Sequence, residues 1–117
     1  MRDVAAVEEI KPFSISVDRA EDRVVIAVGG ELDLATAPEL KTALAEQART
    51  DQRACVDLAG CTFIDSTGLQ VIVSAAREFR RDGGELSVTR LRGDVAELFR
   101  ISGLLLEGSA LAYREQP

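Results

Sequence analysis

From Val24 onward, stretches with the two-residue period of a strand alternate with stretches carrying the three-and-four spacing of a helix. That alternation constrains the fold more than any other feature of the chain. Strand–helix–strand units lay successive strands side by side and parallel, with each connecting helix packed back onto the sheet. The β-branched and apolar runs Val24–Val28 and Ala54–Leu58 and the alternating segment Leu86–Leu91 are the expected strands. Between and after them lie three helical segments. The first, about Ala37–Arg49, begins at the capping-box pattern Thr36, Ala37, Pro38, Glu39 and lines one face with Leu40, Ala43 and Leu44. The second carries Leu69, Ile72, Val73, Ala76 and Phe79 on one face and Arg77, Glu78, Arg80, Arg81 and Asp82 on the other, and stops at Gly83 and Gly84. The third is short, capped by Asp94, bears Val95, Leu98 and Phe99, and ends at Gly103.

Ahead of this pattern, Phe13, Ile15 and Val17 alternate with Ser14 and Ser16, which predicts an edge strand with one wet face. The charged turn Glu21, Asp22, Arg23 joins it to Val24–Val28 as an antiparallel hairpin, and Gly29 and Gly30 permit a bend or bulge before Glu31. Ala54–Leu58 is expected to be buried except for Asp57, with Gly60–Ile64 returning the chain toward the next helix, and Leu104–Tyr113 to dock as a last strand or turn. The expected class is therefore α/β: one domain, with a mixed sheet begun by an antiparallel hairpin and helices packed on it. At 117 residues and 46% hydrophobic content there is room for one core. The domain is placed at residues 13–113, with flexible ends at 1–12 and 114–117.

Charge and residue types exclude several functions. Twenty acidic against 14 basic residues give a net charge of −6, a field that repels phosphate backbones and anionic bilayers, so neither direct DNA binding nor a membrane is expected. No apolar run has signal-peptide or membrane-span length, which predicts a cytoplasmic protein with protein partners. There is no histidine, and the two cysteines, Cys55 and Cys61, are expected to be buried, reduced thiols. No metal site, no cofactor and no Ser-His-Asp or Cys-His apparatus is expected. Asp65, Ser66 and Cys61 lack the base, metal set or glycine-rich phosphate loop that an enzyme would need.

The informative stretch is Phe63, Ile64, Asp65, Ser66, Thr67, Gly68, Leu69, where an apolar strand ends and the second helix begins. A hydroxyl at a helix mouth meets solvent and backbone N–H groups without intrahelical partners, and the helix dipole favours an anion there. Asp-Ser-Thr-Gly before an apolar run is equally an ordinary helix cap. Composition and spacing leave the two readings open.

This stretch, preceded by Val56, Asp57 and Leu58, resembles the signature of STAS domains, in which Asp-Ser-Ser/Thr-Gly-Leu follows a strand ending in Asp-Leu. Upstream, Gly30, Glu31, Leu32 and Asp33 with Thr36 and Pro38 are similar to the family's first strand and helix entry. Downstream, Gly83, Gly84, Glu85 and Leu86 and the group Leu98, Phe99, Ile101 and Gly103 also match, so the resemblance runs from about Phe13 to Tyr113. It is closest to the STAS-domain anti-sigma factor antagonists, and implies a regulator that is not an enzyme. Ser66 stands at the family's phosphorylated serine. The resemblance implies that the unphosphorylated form binds an anti-sigma factor kinase of the GHKL type and releases the sigma factor, that phosphorylation of Ser66 blocks binding, and that a serine phosphatase reverses it. It places Asp33 near the serine, where it either accepts a bond from the hydroxyl or stands as a solvated loop acid. Asp65 is read as a structural helix cap with a contact role and not as a general base, and Thr67 and Gly68 are given a place in the partner contact, though each also suits plain helix entry. The alternative it leaves is a STAS subunit of a lipid-transport ATPase complex, or a non-phosphorylated scaffold.

Overall fold

The computed structural model describes residues 12–104 and 109–117. Its strands are β1 (Ser14–Arg19), β2 (Val24–Leu32), β3 (Arg53–Ile64), β4 (Glu85–Thr89) and β5 (Ala112–Arg114), and its helices are α1 (Ala37–Ala48), α2 (Ser66–Arg81) and α3 (Gly93–Ile101). The five strands lie in chain order across one mixed sheet. β1 and β2 form the expected antiparallel hairpin, and every later neighbour is parallel, as the crossovers require. The expectation for residues 1–11 lies outside the described residues, as does that for 105–108. β5 supplies the last strand predicted within Leu104–Tyr113, extending through Arg114.

Register divides the sheet into an apolar face and a polar one. Val24, Ala54 and Leu86 are cross-strand partners, as are Ile26, Val56 and Val88, and all six are buried. They share one core with Leu40 and Leu44 of α1, Ile72, Ala76 and Phe79 of α2, and Val95 and Phe99 of α3. Each element thus contributes the stripe that its periodicity marked. The intervening positions form the rows Val25–Cys55–Ser87 and Ala27–Asp57–Thr89 on the other face. At the edge, β1 leaves Ser14, Ser16, Asp18 and Arg19 exposed, and Arg19 reaches across to Asp51 and Gln47.

Five expectations need correction. Asp57 is buried, because Arg90 grips its carboxylate through two guanidinium nitrogens and the Ala59 N–H donates to it at 3.0 Å. Arg90 adopts φ 58°, which ends β4 at Thr89 instead of Leu91. Gly60–Ile64 is strand and not a return loop: β2 and β3 resume pairing past a bulge at Ala27–Glu31 and run together to Leu32 and Ile64. The capping box at Thr36 does not form. The Thr36 hydroxyl turns back to the Glu31 carbonyl and accepts from the Asp33 N–H, leaving α1 without a side-chain cap. Asp94 sits inside the first turn of α3, one residue past its amino terminus, while Arg92 holds the N-cap position. The carboxyl-terminal stops are as expected: Gly83 and Gly103 take positive φ, and the residues after them bond back to the Phe79 and Phe99 carbonyls.

Both cysteines are buried and free, and burial pushes each thiol above its ordinary pKa. The folded chain should therefore resist iodoacetamide at pH 8 and take up two labels once unfolded in urea, as counted by intact-mass spectrometry. Rapid labelling of the folded chain at Cys55 or Cys61 would contradict this packing.

Candidate functional site

β2 and β3 stop together, and the site is built on that shared end. Leu32 and Ile64 are the last registered pair, and the Asp65 N–H still donates to the Leu32 carbonyl at 3.2 Å. The chain then turns into α2. Asp65 is extended, with φ −107° and ψ −176°, and its Oδ1 accepts the Gly68 N–H at 3.0 Å, a helix N-cap. The Leu69 N–H closes the first helical turn on the Asp65 carbonyl at 3.0 Å. Gly68 is the point of closest approach: a Cβ there would lie 2.7 Å from Leu32 Cγ, 2.8 Å from the Leu32 oxygen and 3.1 Å from Ile64 Cγ1. The first turn of α2 is thus pressed onto the strand ends, and only a residue without a side chain fits.

This arrangement resolves which residue caps. Asp65 takes the capping bond, so Ser66 and Thr67 occupy the first two helical positions with their hydroxyls uncommitted. Ser66 is exposed and Thr67 half-buried, and among the described residues neither side chain makes a hydrogen bond. Their backbone N–H groups also precede the first intrahelical bond, so the open end of the helix faces the same solvent as the Ser66 Oγ.

Asp33 does not bond the serine. Its Oδ1 accepts the N–H groups of Ala35 and Thr36 at 3.0 and 3.2 Å, which commits the carboxylate to the tight turn leading into α1. The next residue, Leu34, is 73% exposed, and Phe63 on β3 is 46% exposed, so two large apolar side chains stand in solvent on the segments that flank the helix mouth.

From the helix mouth a groove of about 640 Å³ runs between α1 and α2. Ser66, Thr67, Gln70, Val71 and Ala75 line it from α2, and Lys41, Leu44 and Ala45 from α1. Sequence reasoning missed the α1 wall. The available signal was the spacing of Lys41, Leu44 and Ala45, which puts all three on one side of that helix. A site made of an uncommitted hydroxyl, a helix mouth and a partly apolar groove is equipped to bind another surface and to accept a modification. Among the described residues no cluster of histidine, cysteine or acidic side chains could hold a metal, and no helix is long and apolar enough to cross a membrane.

The family described as "Mlab, STAS domain" matches residues 15–105. The chain is 38% identical over 88 residues to the anti-sigma-B factor antagonist of Listeria monocytogenes, a match covering 74% of this chain and 77% of that one. It is 34% identical over 95 residues to the anti-sigma-B factor antagonist of Bacillus subtilis, covering 79% and 84%. Among solved structures, an anti-sigma factor antagonist from Mycobacterium paratuberculosis is similar with a TM-score of 0.73 at 25% identity, over 86% of each chain.

Two substitutions test the geometry of the helix mouth. Gly68→Ala forces a methyl into Leu32 and should lower stability by about 1–3 kcal/mol. Asp65→Ala removes the cap and should cost about 1 kcal/mol, with Asp65→Asn recovering most of it. Urea unfolding reads both, and an unchanged midpoint for Gly68→Ala would mean that α2 does not press on the strand ends.

Proposed function

Because the chain belongs to the STAS-domain family of anti-sigma factor antagonists, we propose that it works as a phosphorylation-controlled partner switch in the cytoplasm. In this reading the unphosphorylated form docks its α2 mouth on an anti-sigma factor serine kinase of the GHKL type, which then releases its sigma factor. Binding is the activity, and the chain itself turns nothing over. The observation that carries the reading is the Ser66 hydroxyl, exposed and, among the described residues, without a hydrogen bond, with Asp65 capping the helix in its place. A kinase can reach such a hydroxyl without unfolding the helix. Asp65, Thr67 and Gly68 support it in the first turn of α2, and in this reading they and Asp33 contribute to the partner contact.

In the modification step, Ser66 Oγ attacks the γ-phosphorus of ATP. A new O–P bond forms, the bond to the β,γ-bridging oxygen breaks, ADP leaves, and the hydroxyl proton passes to a base on the kinase. The product carries about −1.5 to −2 charges on Ser66. Asp65 is adjacent in the chain, so the added charge opposes docking on any surface complementary to the acidic, unmodified site. A cost of about 2.7 kcal/mol weakens binding about a hundredfold, enough to exchange partners. Removing the phosphate falls to a separate serine phosphatase.

Incubation with candidate GHKL anti-sigma kinases and ATP, followed by mass spectrometry, should place a single phosphate on Ser66. Ser66→Ala should keep kinase binding, and Ser66→Asp should lose it about a hundredfold. Absence of any modification, together with undiminished binding by Ser66→Asp, would replace this reading with a lipid-transport subunit or an unregulated scaffold.

A further inference from the structure

The partner-switch reading leaves one cation beside Ser66 without a role. α1 and α2 are both crossover helices that leave parallel strands at the same edge of the sheet, so they run in the same direction, and they pack on each other. Their amino termini therefore stand together, above the Leu32–Ile64 pair. α1 sends Lys41 into the wall of the groove whose mouth is Ser66 and Thr67. Of the residues lining that groove, Lys41 is the cation and Glu78 the acid. Ser66 and Glu78 are twelve positions apart on α2, about 18 Å along the axis at 1.5 Å per residue, so Glu78 is remote from the mouth. Lys41 is exposed and, among the described residues, enters no salt bridge; Arg49, Arg77, Arg80, Arg81 and Arg92 enter none either, but of these cations Lys41 is the one that lines the groove with Ser66.

Side chains on a helix lean toward its amino terminus, so the Lys41 stem points up the groove toward the end where Ser66 stands. We propose that Lys41 is this chain's own recognition residue for the phosphate on Ser66. Its ammonium closes across the groove mouth onto the phosphate, an ion pair between α1 and α2 that exists only in the modified form. The phosphate is thereby drawn inward over Thr67 and lies across the entrance of the groove. Modification then acts in two ways, by adding charge and by covering the apolar floor that the unmodified protein offers. Asp65, adjacent to Ser66 in the chain, acts on the same phosphate with the opposite effect on its ionisation, so the contribution of Lys41 is read as a difference between variants.

This inference rests on Ser66 as the phosphoacceptor, and its test is independent of any kinase. Phosphoserine is installed at position 66 during translation, and the phosphate is titrated by phosphorus NMR in the full chain. Lys41→Gln should raise the second pKa of the phosphate by about 0.75 unit, the effect of one unit charge in an ion pair at about 4 Å in a water-like dielectric. Lys41→Arg should restore the wild-type value, and Arg77→Gln, eleven residues along α2 from Ser66, should leave it unchanged. If Lys41→Gln titrates like the wild type, or if Arg77→Gln shifts as far, the latch does not exist. Failure of every kinase to modify Ser66 would overturn the switch while this titration still stood.

Discussion

The parallel pairing of β2 with β3, carried past its bulge to Leu32 and Ile64, is the constraint on which the functional end of the molecule depends. Had the strands separated at the bulge, α2 would begin with no platform beneath it. Because they continue, the Leu32 carbonyl receives the Asp65 N–H, and the same residue packs where a Gly68 side chain would otherwise be. The helix mouth is held from below by backbone and from the side by an aliphatic contact, and neither uses the serine.

The site divides its labour between side chains that hold and side chains that are left free. Asp65 satisfies the first turn of α2, and Asp33 satisfies the turn before α1, so two of the acids nearest Ser66 are occupied by backbone N–H groups. Ser66 and Thr67 are left free because those bonds are already made. An uncommitted hydroxyl on a well-anchored helix is accessible to a partner without being mobile, which is what a modification site and a docking surface both need.

Much of this was legible in the sequence wherever a local period decided the structure. The stripe Leu69, Ile72, Val73, Ala76, Phe79 predicts α2, and the alternation from Phe13 to Val17 predicts the wet edge strand. The motif Asp65–Leu69 locates the site. Local pattern misled where a distant partner intervened. Asp57 looked like a surface acid because Arg90, which neutralises it, lies 33 positions away. Gly60 and Thr62 looked like loop because their strand conformation is imposed by the tail of β2 and not by their own propensity. Thr36 matched a capping box, yet the turn before it offered its hydroxyl the Glu31 carbonyl instead. Asp65 reads from the sequence as a structural helix cap, and its bond from the Gly68 N–H is that cap.

The edge strand β1 carries a consequence for abundance. On the proposed reading the chain works by occupying a partner, so it must stay dispersed at concentrations that match that partner. An open strand edge is where such a chain would template onto its own copies. Here the exposed edge bears Ser16, Asp18 and Arg19 and is backed by the Arg19–Asp51 ion pair, so a second copy approaching edge-on would have to strip water from fixed charges before pairing. Four polar side chains among the six residues of β1, with Val17 the exposed apolar one between them, thus favour dispersion over edge-to-edge pairing.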